Sequence, residues 1–393
     1  MIGVYFILFI VLGFVLLTQF KSILLKLTLF IYWYPLITMY LFRIDYPLGG
    51  SIDILGRPIN EIFSESALIY AIIGYYCFVG VIWKLRDHKF EYERIEFTES
   101  MRFFISLLLL ITSVLAYPKA FGLAEQRWNL IAGPWLVISI SLNTILFLSF
   151  EKLKSLSSII QILTAVLLIA GGERVNSLTT VLLFFILQTN SDSEIVKEKK
   201  LNLSLILFGS LAVVTAIGAH YWRNGEAFKL LLLYQNIISS STVGDVTHIY
   251  FTSFTYLNEK GVEIGPVLNE IGSLLYLPGI GGTGENVVYN FTEILREYVY
   301  NYGGGLFYTE GVLIFGKLGV PIYAIFYGLF IRILFRFKNQ YISIISIVFF
   351  VLQFRIQWYG FVYIYTPIWF SIVMLKFLNL IKRQHSYFTI IEE

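Results

Sequence analysis

The sequence has little charge and almost no cysteine. Only 14% of its 393 residues are charged, whereas 57% are hydrophobic, and the mean hydropathy is +0.73. A water-soluble chain of this length needs more charge to cover its surface, so the soluble classes of enzyme are excluded. A single cysteine, Cys77, excludes an internal disulfide and a thiolate metal cluster.

Several signatures of chemistry are also missing. The four histidines are scattered, and phosphate-binding loops, nucleophile elbows and HExxH zinc motifs are absent. We therefore expect no metal and no other cofactor. A net charge of +3 gives no basic excess that would indicate nucleic-acid binding.

Apolar stretches dominate what remains, and about eleven of them are long enough to cross a membrane. The first has neither a basic flank nor a cleavage site, so we expect it to be retained as a span. The sequence predicts an all-α, polytopic integral membrane protein with about 11 transmembrane helices in a single domain, residues 1–393. The predicted spans are 2–20, 27–42, 66–83, 103–118, 131–150, 156–171, 177–190, 201–222, 311–335, 341–354 and 357–380.

The distribution of basic residues supports this count and orients the chain. Of the 29 Lys and Arg residues, 18 fall in alternate connections and six in the short connections between them. Because positive residues collect on the cytoplasmic side, the N-terminus is predicted outside and the C-terminus in the cytoplasm.

The longest connection, residues 223–310, lies between the predicted helices 8 and 9 and is expected on the outer face. We predict amphipathic helices within it, at 225–234 and 286–302. Glycine runs at 281–284 and 303–305 flank the second helix. They suit a lid that moves, and the alternative is that they are simple turns.

Arg174 is the first candidate for substrate binding. It lies in a tight outer connection, Gly171-Gly172-Glu173-Arg174-Val175-Asn176-Ser177. A guanidinium at the membrane edge is costly, and it binds phosphate oxygens bidentately, which suits a lipid-linked diphosphate. Pairing with Glu173 or contact with lipid headgroups is the alternative.

Four further arginines are candidates for binding an anionic substrate. Arg127, Arg223 and Arg355 each lie next to or near a tryptophan at an outer boundary, where interfacial anchoring explains them equally well. Arg296 lies in the predicted loop helix, where an ion pair with Glu293 three residues earlier is the simpler explanation.

A general base is needed if a sugar hydroxyl attacks an anomeric carbon. Glu310 stands where the long loop re-enters the membrane, and His248 has a near-neutral ordinary pKa. We take these two as the catalytic candidates together with Arg174 and Arg223, although a lone histidine is often structural. Other possible bases are His220, Glu270 and Glu293.

The overall plan resembles the Wzy-type polymerases of O-antigen and capsular repeat units. The stretch from Gly171 through Arg174 to Leu178 looks like that family's "G-x-R" span entry. The stretch Asn301-Tyr302-Gly303-Gly304-Gly305 to Glu310, followed by Phe315-Gly316-Lys317-Leu318-Gly319 and Tyr327-Gly328, looks like its exit from the large loop. One departure is visible: some members carry Gly ten residues beyond a loop Arg, and none of Arg174, Arg127 and Arg223 satisfies that spacing.

The resemblance implies a polymerase that joins undecaprenyl-diphosphate-linked oligosaccharide repeat units on the outer face of a bacterial plasma (inner) membrane. It implies a glycosyltransferase that needs no metal, with arginines on the leaving diphosphate and a His or Glu as base. Tyr221, Trp222, Tyr250 and Tyr298 could stack on sugar rings. The expected partners are the lipid-linked oligosaccharides, the bilayer and, as an open question, a chain-length regulator.

Two other classes remain as alternatives. An O-antigen ligase or another lipid-linked glycosyltransferase would share the membrane plan, and the latter often carries acidic residues in the first outer loop. Asp45, Asp53, Glu61 and Glu65 lie there without forming a close pair. A flippase for the same lipid-linked unit is less favoured, because transporters usually show internal repeats and short loops.

Overall fold

A computed structural model describes most of the helical part of the chain. It covers residues 2–41, 64–118, 132–149, 156–170, 179–180, 182–183, 241–263, 294–298, 305–353, 356–357 and 362–391. The helices are α1 Ile2–Gln19, α2 Ile23–Leu41, α3 Glu65–Ile82, α4 Glu99–Ala116, α5 Ala132–Leu148, α6 Leu156–Ala170, α7 Ser241–Lys260, α8 Phe307–Phe315, α9 Gly319–Arg336, α10 Gln340–Val351 and α11 Val362–Ile391.

Within these ranges the regular structure is entirely helical, as the sequence predicts. Four apolar segments are long enough to cross a membrane, and five shorter apolar helices accompany them. The long segments are Glu65–Leu85, Glu99–Ala116, Phe307–Arg336 and Ile364–Lys382. The fold is thus that of a membrane protein, while the predicted spans at 177–190 and 201–222 lie largely or wholly outside the described residues.

Polar side chains at the helix starts explain several boundaries. The Ser64 hydroxyl accepts a hydrogen bond from the backbone N–H of Ala67 at 3.2 Å, and Thr98 does the same for Met101 at 3.3 Å. The Asn339 side chain accepts from the N–H of Ile342 at 2.8 Å. Each cap satisfies an N–H that has no acceptor within its own helix.

The predicted span over 311–335 lies within Phe307–Arg336, a segment long and apolar enough to cross a membrane. This segment is not one continuous helix: Gly316 has φ of 65°, so α8 and α9 are separate helices joined by a 3-10 turn at Gly316–Leu318. Glycine adopts this left-handed conformation without steric cost, and such a residue commonly ends a helix.

Helix α7 was not predicted. Its residues were assigned to the outer loop 223–310, yet Val246–Phe254 are buried against the rest of the bundle.

Of the two loop helices that were predicted, 225–234 lies outside the described residues. Of 286–302 the structure describes only 294–298, which contains a 3-10 turn at Leu295–Glu297.

An extended segment, residues 88–98, ties several helix ends together at one end of the bundle. The N–H of Ile95 donates to the carbonyl of Leu148 at the end of α5, and the N–H of Glu93 donates to the Ser343 hydroxyl in α10. The Lys382 ammonium of α11 donates to the carbonyl of Glu96. Within the described residues, the connection 84–102 therefore lies beside the end of α5, the start of α10 and Lys382 at one end of the molecule.

The core that supports the candidate site is aromatic. The Tyr32 ring of α2 stacks on Phe78 of α3 at 5.0 Å between centroids, and on Tyr308 of α8 at 5.8 Å. Phe307 lies 5.0 Å from Tyr327 of α9. Since Tyr32 and Tyr327 lie near the middle of their helices, α8 begins deep inside the bundle.

Candidate functional site

The candidate site lies between α7 and α8. Four polar side chains of α7 are almost completely removed from solvent: Thr247, His248, Thr252 and Ser253. Buried polar groups generally make hydrogen bonds or serve a function. Helices α5 and α6 also bury four polar side chains each, but α7 alone among the three buries a titratable one, His248.

The first turn of α8 contributes the second half of the site. Thr309 is fully buried, and the Glu310 side chain is only 4% exposed. A carboxylate is costly to bury, which makes such a residue a functional candidate, and the positive N-terminal end of a helix lowers part of that cost. Glu310 therefore combines burial, charge and a favourable place in its helix.

Contacts between α7 and α8 fix their relative register. The Tyr250 ring meets the Tyr308 ring edge-on at 5.0 Å, and just beyond the C-terminal end of α7 the N–H of Glu263 donates to the carbonyl of Leu313 in α8 at 2.7 Å. The two helices therefore run in the same direction. His248 precedes Tyr250 by two residues, and Glu310 follows Tyr308 by two residues.

At 1.5 Å rise per residue, this register separates the levels of His248 and Glu310 by about 6 Å along the helices. Glu310 also shares a side of α8 with Leu313, three residues later. Leu313 packs in one apolar cluster with Ile249 and Tyr256 of α7. Glu310 thus shares with Leu313 the side of α8 that packs on α7, about one helical turn from the level of His248.

A tyrosine and carboxylate network closes the far end of α7. The Tyr256 hydroxyl donates to Glu263 at 2.5 Å, and the Tyr298 hydroxyl donates to Glu259 at 2.7 Å. Its hydrogen bond to Glu259 raises the pKa of Tyr298, and partial burial and the nearby carboxylates add to this. The network holds the turn at 294–298 against α7, with Leu295 fully buried beneath it.

The contacts of Tyr250 indicate a structural role and not a ligand-binding one. Its ring is fully buried between Phe254 and Tyr308, and its hydroxyl donates to the carbonyl of Ala67 in α3 at 2.7 Å. Stacking on a sugar needs an exposed ring face, and in this structure Tyr250 does not present one.

The structure does not describe the side chains of the remaining predicted site residues. Arg296 lies in the turn at Leu295–Glu297, where its backbone alone is described. The structure therefore places His248, Tyr250 and Glu310 on two adjoining helices, and the arginines remain predictions. The predicted residues outside the described ranges are Arg127, Arg174, Arg223, Arg355, Tyr221 and Trp222.

Sequence reasoning missed Thr247, Thr252, Ser253 and Thr309. A signal was present in α7, because its apolar residues Val246, Ile249, Tyr250, Phe254 and Leu257 recur at helical spacing. Within the described ranges, no group of three or more His, Cys, Asp or Glu side chains could hold a metal ion.

No protein family, no curated protein and no solved structure matches this chain. The class of the protein follows from its own structure: an all-helical bundle whose apolar helices are those of a membrane protein. A buried polar centre on α7 and α8 is the feature of that bundle that invites a functional explanation.

Proposed function

We propose that the protein is a glycosyltransferase of the membrane that polymerises undecaprenyl-diphosphate-linked oligosaccharide repeat units. The observation that carries the proposal is the burial of Glu310 and His248 on two adjoining helices, at levels about one helical turn apart. The spans, the charge pattern and the resemblance to Wzy-type polymerases support the same assignment.

The proposed reaction transfers a glycan from one lipid carrier to another. A hydroxyl oxygen on the acceptor sugar bonds to the anomeric carbon of the donor glycan, and the bond from that carbon to the diphosphate oxygen breaks. The electron pair of the broken bond leaves with undecaprenyl diphosphate. The proton of the acceptor hydroxyl passes to a base on the protein.

Glu310 is the proposed base, and His248 is the alternative. A carboxylate or an imidazole can take the proton of an acceptor hydroxyl when it lies within hydrogen-bond reach of it. Arg174, Arg223, Arg127 and Arg355 are proposed to neutralise the diphosphate, for which a planar guanidinium is suited. Arg296 is proposed to bind along the same glycan.

The test is the ladder of surface polysaccharide from a deletion strain that carries either the wild-type gene or a variant. We expect single-repeat glycan in the deletion strain, a long ladder with the wild type, and loss of the ladder with Glu310→Gln or Arg174→Ala. His248→Asn distinguishes the two candidate bases, since only the true base is needed for chain growth.

Glu297→Gln is the matched control, because Glu297 is an exposed carboxylate on the same outer segment. Each variant must reach the membrane at the wild-type level. If the deletion strain lacks even the single-repeat product, the protein flips or ligates the unit and the polymerase proposal fails. A full ladder with both Glu310→Gln and His248→Asn would remove the proposed base.

A further inference from the structure

Helices α8 and α9 fold back on each other through a contact between two glycines. A Cβ atom placed on Gly319 would lie 1.7 Å from the carbonyl oxygen of Gly311. A Cβ atom placed on Gly311 would lie 2.6 Å from the carbonyl oxygen of Gly319 and 2.8 Å from Cδ2 of Tyr323. The two backbones therefore touch, and neither position has room for a side chain.

Helix α9 is itself held firmly against α3. A Cβ atom on Gly74 would lie 2.9 Å from the Val320 side chain, and a Cβ atom on Gly328 would lie 2.9 Å from that of Val81. Small residues allow this close approach of two helices, as at many interfaces within membranes. Since α9 is fixed to α3, the contact at Gly311 fixes α8 as well.

Gly311 is the neighbour of Glu310 in α8. On one side Gly311 lies against α9, and on the other Leu313 packs with Ile249 and Tyr256 of α7. The position of Glu310 on α8 therefore depends on how closely α8 approaches α9.

We infer that Gly311 and Gly319 are positioning residues for Glu310, an inference that rests on the proposed function. A methyl group at Gly319 requires the two backbones to separate by about 1.5 Å before ordinary van der Waals distances are restored. A shift of about 1 Å in a reacting group can lower the rate about a hundredfold. Gly311→Ala has a milder clash and is expected to lower the rate about tenfold.

The test uses purified full-length protein and the lipid-linked repeat unit extracted from the deletion strain. Polymerisation by Gly319→Ala and Gly311→Ala is compared with the wild type over a range of pH. The expected result is a lower kcat, an unchanged KM and a shifted midpoint in the pH dependence of kcat, because the base has moved relative to its surroundings.

Two glycine variants serve as matched controls. Gly80→Ala adds a methyl group in α3 where no atom lies within 4 Å, so it should behave as the wild type. Gly328→Ala introduces a clash with Val81 at the interface of α3 and α9, away from the contact with α8. It should lower the unfolding temperature and shift the pH dependence less than Gly319→Ala does.

The outcomes separate this inference from the proposed function. If the wild type forms no polymer, the proposed function fails. If the wild type polymerises and the inserted Gly319→Ala protein keeps both the kcat and the pH profile, the positioning role is overturned. The positioning role is also overturned if Gly328→Ala shifts the pH profile as much as Gly319→Ala does. Should Gly319→Ala fail to accumulate, Gly311→Ala decides the question.

Discussion

The hydroxyl of Tyr250 donates a 2.7 Å hydrogen bond to the backbone carbonyl of Ala67 and so joins α7 to the first turn of α3. This bond crosses 183 residues of sequence and lies wholly inside the protein. It helps to keep a helix rich in polar residues within an apolar bundle.

Replacement of Tyr250 by Phe should destabilise the protein. The variant keeps the ring contacts with Phe254 and Tyr308 and loses only the hydroxyl. The expected loss is about 1 kcal/mol, typical of one buried hydrogen bond. Thermal unfolding in detergent measures it, and an unchanged unfolding temperature would mean that the bond contributes nothing to stability.

Replacement of Tyr32 by Phe should leave the stability of the protein unchanged or increase it slightly. The Tyr32 hydroxyl is buried, and it has no hydrogen-bond partner in the part of the chain that the structure describes. Removing a buried polar atom that makes no bond is neutral or stabilising, by up to about 1 kcal/mol. Thermal unfolding again measures the change. Clear destabilisation would show that this hydroxyl has a partner in the native protein.

The difference between these two tyrosines illustrates what the sequence can predict about the structure and what it cannot. The apolar stretches predicted α1 to α6 and α10 to within about four residues, since hydrophobic length indicates a membrane span. Helix α11 was also predicted, but it extends to Ile391, well beyond the predicted end at residue 380. Which tyrosine finds a partner depends on residues far away in the chain, such as Ala67 for Tyr250. No local pattern contains that information.

Helix α7 was missed for a related reason. Asp245, His248, Glu259 and Lys260 lower its hydropathy, so its residues resembled a loop, and its burial comes from contacts with α2, α3 and α8. The sequence named Glu310 and His248 as candidates, and the structure shows that both are buried. Their placement on adjoining helices could not be foreseen, because it depends on the register of α7 against α8.

An amide network between α5, α6 and residue 180 should show measurable coupling. The Asn143 side-chain amide donates to the Thr180 hydroxyl at 2.8 Å, and the Gln161 amide donates to the Asn143 carbonyl groups. A double-mutant cycle of Asn143→Ala with Thr180→Ala should give about 0.6 to 1.7 kcal/mol, the range for hydrogen bonds between helices in membranes. Strict additivity of the two single changes would contradict the contact.

Replacement of Tyr298 by Phe should loosen the turn at 294–298 from α7. The hydrogen bond to Glu259 raises the pKa of Tyr298 above its ordinary value near 10. A raised pKa in the folded state means that the stabilisation is complete below about pH 10 and is lost as pH rises through the folded value.

Thermal unfolding of the wild type and of Tyr298→Phe, measured from pH 7 upward, checks this expectation. The wild type should be the more stable protein by a constant margin at neutral pH, and the margin should shrink above about pH 10. A margin that grows with alkaline pH would contradict the hydrogen bond as described.

The most direct test of the proposed chemistry is reconstitution of the purified protein alone in liposomes with the lipid-linked repeat unit from the deletion strain. If the protein is the polymerase, gel analysis should show glycans of two, three and more repeats, with one undecaprenyl diphosphate released for each bond formed. A repeat unit that stays single, with or without movement across the bilayer, would contradict the proposal.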